Sequence, residues 1–299
     1  MGTPSFAVPS LERLVEAGHQ VVAVYTQPDR PKGRGQKDAM PPVKEAALRL
    51  NLPVHQPLKV RQPEVVAEIA AMAPECIIVV GYGQIIPQAI LDIPPHGILN
   101  VHASLLPKYR GAAPIQWAIA NGETKTGVTI MKIDAGLDTG DMLSKWETPI
   151  GADEAAPELG TRLATAGADL LIATLAKLDS ITPEPQDASQ ATWAPIIKKE
   201  DGHIDWSRSA QDTYYRMRGL TPWPGCYGFL RGQRLHIWRA TVTDRVLNPG
   251  ELRIENRRLF AGCGQGSLEL LEVQMEGRKR MDVSAFLNGL NLNAGECLE

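Results

Sequence analysis

Residues 97–122 read GILNVHASLLPKYRGAAPIQWAIANG. GILNVHA is a short apolar run opened by a glycine, the pattern of a strand buried on both faces. AAPIQWAIANG carries an early proline and closes on Asn-Gly, the start and stop signals of a helix. Asn100 and His102 stand two apart, so on a strand they project from one face. Ser104 continues the series if the extended form persists. All three fall at the carboxyl end of the run, where open α/β sheets bind ligands. An amide donor and an imidazole on one face suit a carbonyl oxygen that gains negative charge when its carbon is attacked.

The same alternation runs outward on both sides. VVAVYT at 21–26, ECIIVVGYG at 75–83 and TGVTIMKID at 126–134 read as strands, with helices at 41–51 and 63–72 between them. The pattern predicts an α/β fold with a parallel, Rossmann-like sheet. Residues 153–178 read as a long helix, and ITPEPQDASQATWAP at 181–195 as a linker. Beyond it, GCYGFLRGQRLHIWRATVTD, PGELRIENRRLFAGCG and SLELLEVQMEG are strand candidates broken by Gly, Asn and Pro. They predict a small antiparallel β domain, barrel-like in closure. The expected division is a first domain over 1–182, a linker over 183–203 and a second domain over 204–299.

Composition narrows the class. Four scattered cysteines form neither a disulfide framework nor a CxxC zinc site, and the start lacks the pattern of a signal peptide. No apolar run is long enough to cross a membrane, so a cytoplasmic, membrane-free protein is expected. The net charge of −3 hides an asymmetry. Up to Asp205, 18 Lys and Arg face 24 Asp and Glu; from Trp206 onward, 13 face 10. The second part is the basic one and a candidate nucleic-acid surface. The Pro/Gly-rich loop at 27–42 holds Arg30, Lys32, Arg34 and Lys37 and could clamp phosphates.

Near the quoted stretch, DAGLDTGD at 134–141 offers Asp134, Asp138 and Asp141 as carboxylates that could face the same cleft. Leu105 and Leu106 stand in a loop where exposed leucines call for a pocket. GYG at 81–83 could approach a ligand closely. There is no Walker loop, nucleophile elbow or dinucleotide fingerprint, and no metal-ligand cluster.

The stretches NVHASLLPKYRGAAPIQWAI, GVTIMKIDAGLDTGDML, QPDRPKGRGQK and GTPSFAVPSL, with KKEDGHIDW and RGLTPWPG further on, resemble the methionyl-tRNA formyltransferase family. The likeness covers essentially the whole chain. HxSLLPxxxG alone marks the wider group of 10-formyltetrahydrofolate-using enzymes. The basic loop and the second domain narrow it to the tRNA enzymes. The resemblance implies that Asn100, His102 and Asp138 are the catalytic trio. It implies formyl transfer from 10-formyltetrahydrofolate, as co-substrate, to the α-amino group of methionyl initiator tRNA, for translation initiation, without a metal. Ser104, Leu105, Leu106 and Pro107, with Gly81, Tyr82 and Gly83, would bind the folate. Arg30, Lys32, Arg34 and Lys37 would reach tRNA, helped by an OB-like C-terminal domain, in a monomer.

The family also places a short apolar strand before the Gly-Thr-Pro turn. Here Met1 stands at that position, and a chain start further upstream is expected. Alternatives sharing the trio are an amino-sugar-nucleotide formyltransferase and a formyltetrahydrofolate hydrolase. A non-catalytic RNA-binding protein and a dinucleotide-dependent dehydrogenase are the alternatives from other classes.

Overall fold

Short apolar runs become strands and amphipathic runs become helices in a computed structural model, which describes residues 1–32, 37–293 and 295–299. The N-terminal elements are α1 (Val8–Glu16), β1 (Val24–Tyr25), β2 (Arg30–Lys32), β3 (Lys37–Ala39), α2 (Pro42–Arg49), β4 (Val54–His55), α3 (Pro63–Ala71), β5 (Ile77–Val79), α4 (Gln88–Leu91) and β6 (Ile98–His102). They are followed by β7 (Arg110–Gly111), α5 (Pro114–Ala120), β8 (Lys125–Lys132), β9 (Met142–Pro149), α6 (Ala156–Leu175) and β10 (Trp193–Ala194). The chain divides into two units. One holds Met1–Pro114, Lys125–Thr148 and Gly160–Ala194; the other holds Ile115–Thr124, Pro149–Leu159 and Pro195–Glu299.

The sheet of the first unit runs β5-β6-β8-β9. β5 and β6 are parallel, with Val79 opposite Asn100. β6 and β8 are antiparallel, with His102 opposite Thr129. The expected parallel, Rossmann-like core is present in the β5–β6 and β1–β4 pairs, and β8 adds an antiparallel neighbour to it. A parallel return needs a crossover that carries the chain back along the sheet. The seven-residue α5 rises only about 10 Å, and most of it belongs to the second unit. The chain re-enters at the end it left.

Two expected strands are shorter than their apolar runs. Of 21–26 Val24–Tyr25 pair with β4, and of 75–83 Ile77–Val79 pair with β6 while Val80 bridges Gly2. Met1 and Gly2 lie between them. Gly2 N donates to Tyr25 O at 2.9 Å, and Val80 N donates to Met1 O at 2.9 Å. The Met1 amine donates to Ile78 O at 2.6 Å. Alongside them is a cavity of about 570 Å³ lined by residues including Leu11, Leu14, Val22, Tyr25, Ile69 and Cys76. Tyr25, Ile69, Ile77, Tyr82, Ile90 and Ile98 form the apolar core between this edge and β6.

The segment expected as a linker is bonded to the first unit as far as Ala194. β10 pairs in parallel with β7, and Glu184 bridges Met142.

The second unit carries α7 (Ala210–Gly219) and a six-stranded antiparallel sheet. Its strands are β11 (Cys226–Leu230), β12 (Gln233–Thr243), β13 (Leu252–Glu255), β14 (Arg258–Gly262), β15 (Ser267–Met275) and β16 (Met281–Asp282). The order β11-β12-β15-β14-β13, with β16 on β15, is an open path rather than the expected closed barrel. The last residues touch both edges of that path. Leu252 N donates to Glu296 O, and Phe229 and Glu299 exchange both backbone bonds.

Candidate active site

β6 holds Ile98, Asn100 and His102 on one face and Leu99 and Val101 on the other. α6 packs on the Val101 face, where a side chain at Gly167 would meet Val101 at 3.0 Å. Asn100 and His102 therefore project away from α6, and both reach Asp138. Asn100 Nδ2 donates to Asp138 Oδ1 at 3.3 Å. His102 Nδ1 lies 3.7 Å from Asp138 Oδ2. The same Oδ2 accepts the Gly111 backbone N–H at 2.9 Å. His102 is buried, and its Nε2 faces the carbonyl of Tyr109 at 2.9 Å. That contact requires a proton on Nε2, because a carbonyl only accepts.

Two residues here hold left-handed backbone, Tyr109 at φ 59° and Asp138 at φ 52°. Non-glycine residues in this region cost about 1–3 kcal/mol and persist where surrounding structure imposes them. Of the three candidate aspartates, only Asp138 joins the trio. Asp134 Oδ1 accepts from Gly136 N and Thr139 Oγ1 and braces the loop internally. Asp141 meets β8 through its backbone carbonyl, which accepts from Lys132 N.

The imposing structure comes from residues 184–194, where the sequence offered no signal beyond a Pro/Ser/Thr-rich texture. Thr192 Oγ1 accepts from Tyr109 N at 2.8 Å, and Thr192 O accepts from Arg110 N at 2.9 Å. Gln186 bonds the Arg110 guanidinium and the carbonyls of Asp138 and Gly140. Gly111 sits at φ 119°, and a Cβ there would lie 2.6 Å from Ala194 O, so only glycine lets the strap close.

The expected folate segment is turned partly inward. β6 ends at His102, and the buried Ser104 donates its Oγ to Lys108 O at 2.6 Å. Ser104 therefore does not continue the Asn100–His102 face. Leu106 packs with Met131 and Met142 in the core, so it does not line an open pocket. Leu105 is half-buried beside Gly127, and Pro107 is also half-buried. Thr129 ties the turn to β8, accepting from Leu106 N at 3.1 Å and donating to Ser104 O at 2.7 Å.

Gly81–Gly83 leave β5 just beyond the rung that pairs Val79 with Asn100. Gly81 and Gly83 have positive φ and exposed backbone. The Tyr82 ring is buried, with its hydroxyl pushed up to about 12 by desolvation, and its carbonyl accepts from Thr3 and Gln27. Ile85, 91% exposed, follows this turn, and Leu137, 59% exposed, precedes Asp138.

The basic loop is a hairpin. Arg30 and Lys32 lie on β2 and Lys37 on β3. Arg34 lies outside the described residues. In the second unit, one face of β11 and β12 carries a run of rings. Arg234 lies 4.6 Å over Tyr227, His236 stacks on Trp238 at 5.4 Å, and Arg280 lies 5.1 Å over Trp238. Burial, with Arg234 nearby, lowers the His236 pKa from its ordinary value. Among the described residues there is no cluster of three or more His, Cys, Asp or Glu able to hold a metal, and no helix long and apolar enough to cross a membrane.

A formyl transferase family model matches residues 1–175, and a formyl transferase C-terminal domain model matches residues 196–291. The methionyl-tRNA formyltransferase of Solibacter usitatus is 58% identical over 302 residues, spanning 100% of this chain and 97% of that protein. That of Geobacter sulfurreducens is 53% identical over 298 residues, spanning 99% and 94%. The crystal structure of an N-formyltransferase from Helicobacter canadensis, with folinic acid and dTDP-3-aminofucose, aligns at TM-score 0.66 and 17% identity. It covers 92% of this chain and 97% of that one, a likeness of fold.

Proposed function

The chain belongs to the methionyl-tRNA formyltransferase family, enzymes that pass a formyl group to initiator methionyl-tRNA, and we propose that Asn100, His102 and Asp138 perform that transfer in it. The observation that carries the proposal is the convergence of Asn100 Nδ2 and His102 Nδ1 on one carboxylate, at 3.3 and 3.7 Å. The neutral α-amine of the methionyl group attacks the formyl carbon of 10-formyltetrahydrofolate. A new N–C bond forms as the formyl C=O becomes an oxyanion, held by Asn100 Nδ2–H and faced by the Nδ1 side of His102, whose Nε2–H is taken by Tyr109 O. The C–N10 bond then breaks, the carbonyl reforms, and the amine's proton ends on N10. Asp138 keeps the imidazole oriented. The Asn100–Asp138 bond is long, so the amide can turn to the developing oxyanion. One such donor is worth about 2.7–4 kcal/mol in the transition state.

Gly81–Gly83 and residues 104–107 frame the folate side, with Gly81–Gly83 offering backbone and Ser104 and Leu106 holding the turn in shape. The β2–β3 hairpin and, in the second unit, the Arg234–Tyr227–His236–Trp238 face are each candidates for tRNA contact, since basic side chains and cation–ring stacks suit nucleic acid. Bonding of Glu296–Glu299 to both edge strands supports an OB-like reading of the second unit. One chain carries the whole trio, which supports a monomer, and free cysteines support the cytoplasm.

An amino-sugar acceptor is disfavoured, because relatives above 50% identity carry the tRNA name while the sugar enzyme stands at 17%. A competition assay offering methionyl initiator tRNA and a dTDP-amino sugar with 10-formyltetrahydrofolate tests this. Formyl on the tRNA alone is expected; formyl on the sugar would reverse the assignment.

A further inference from the structure

The side-chain amide of Gln186 makes four hydrogen bonds. Nε2 donates to the carbonyls of Asp138 at 2.9 Å and Gly140 at 2.7 Å. Oε1 accepts from Arg110 Nε at 3.0 Å and Nη2 at 2.7 Å. A carboxamide has two N–H donors and one oxygen with two lone pairs, so its capacity is filled. Glutamate at this position would turn an acceptor onto two carbonyls. Methionine would leave two carbonyls and part of a buried guanidinium unanswered. The contact falls on both sides of Thr139, next to the left-handed backbone that aims the Asp138 carboxylate at His102 and Asn100.

Thr192, six residues on, holds the other neighbour of the imidazole. It binds Tyr109 N, and Tyr109 presents its carbonyl to His102 Nε2. Both acceptors that face His102, the Asp138 carboxylate and the Tyr109 carbonyl, are thus fixed by one short strap. Because Arg110 is itself buried and bonded to Gln186, one side chain ties the strap to both the β7 turn and the Asp138 loop.

We infer that Gln186 is a positioning residue for formyl transfer, holding the Asp138 carboxylate in register with His102 and Asn100 through the carbonyls of residues 138 and 140. The inference rests on the reading of those three residues as the reaction centre. Gln186 touches backbone and the Arg110 guanidinium, so its effect belongs in the rate of the chemical step and not in the binding of either substrate.

The test is steady-state kinetics on the full chain carrying Gln186→Met, similar in volume without hydrogen bonds, and Gln186→Glu, which keeps the Arg110 acceptor and loses both donors. Expected is a fall in kcat of about 10- to 100-fold in each, the usual cost of removing a partner that orients a reacting group, with both KM values within about twofold of wild type. The same substitutions are then made in an Asp138→Ala background. There Gln186→Met should cost less than about twofold, because nothing remains to aim. A kcat near wild type in both single variants overturns the inference, as do losses that multiply with Asp138→Ala. If Gln186→Met does not fold, Gln186→Glu carries both comparisons. Wild-type rates in Asp138→Ala alone would remove the reaction-centre reading and the inference with it. An impaired Asp138→Ala with multiplying losses would remove only the role of Gln186.

Discussion

At the carboxyl end of β6, side chains from three separate segments bind backbone of the His102 neighbourhood: Thr129 from β8, Gln186 and Thr192 from the strap, and Asp138 onto Gly111. At the opposite edge of the same unit, two residues span the space between β1 and β5, beside a cavity of about 570 Å³. The first edge must hold donors to within a fraction of an ångström, and hydrogen bonds supply direction. The second edge holds backbone to backbone and buries apolar surface, and burial is non-directional.

The sharpest break of this contrast is the double variant Asn100→Ala, His102→Ala. Loss of both donors should lower kcat by about 1,000-fold or more, measured as formyl-methionyl-tRNA formed per enzyme, with the thermal midpoint within a few degrees of wild type. Substantial residual transfer would move the chemistry elsewhere.

Smaller is Thr129→Val. It leaves Leu106 N unpaired in the interior at a cost of about 1–3 kcal/mol. Denaturant unfolding measures it, and activity should fall as well, because the turn that follows His102 loosens. The smallest effect is Arg30→Ala on the exposed hairpin. KM for tRNA should rise about twofold to fivefold, with a shallower salt dependence and an unchanged KM for the folate.

What the sequence made legible follows the range of the interactions. Asn100 and His102 were readable because strand periodicity is local. Asp138 stood among three aspartates that periodicity could not rank; the family resemblance singled it out, and its contact with Asn100 spans 38 residues of sequence. Ser104 extended the pattern on paper, but the strand stops at His102 and the hydroxyl turns to Lys108. Leu106 looked exposed by its place in a loop and is core. Gln186 and Thr192 carried no signal, since side-chain bonds to distant backbone leave no period. The antiparallel turn at β8 was hidden for a related reason: strand runs look alike in either direction, and only the destination of α5 decides.

The most direct measurement of the central claim is the single-turnover rate of formyl transfer with saturating enzyme, comparing wild type with Asn100→Ala. The trio account predicts a rate constant about 100- to 1,000-fold lower, with dissociation constants for tRNA and folate unchanged. A rate constant equal to wild type, with weaker binding alone, would contradict it.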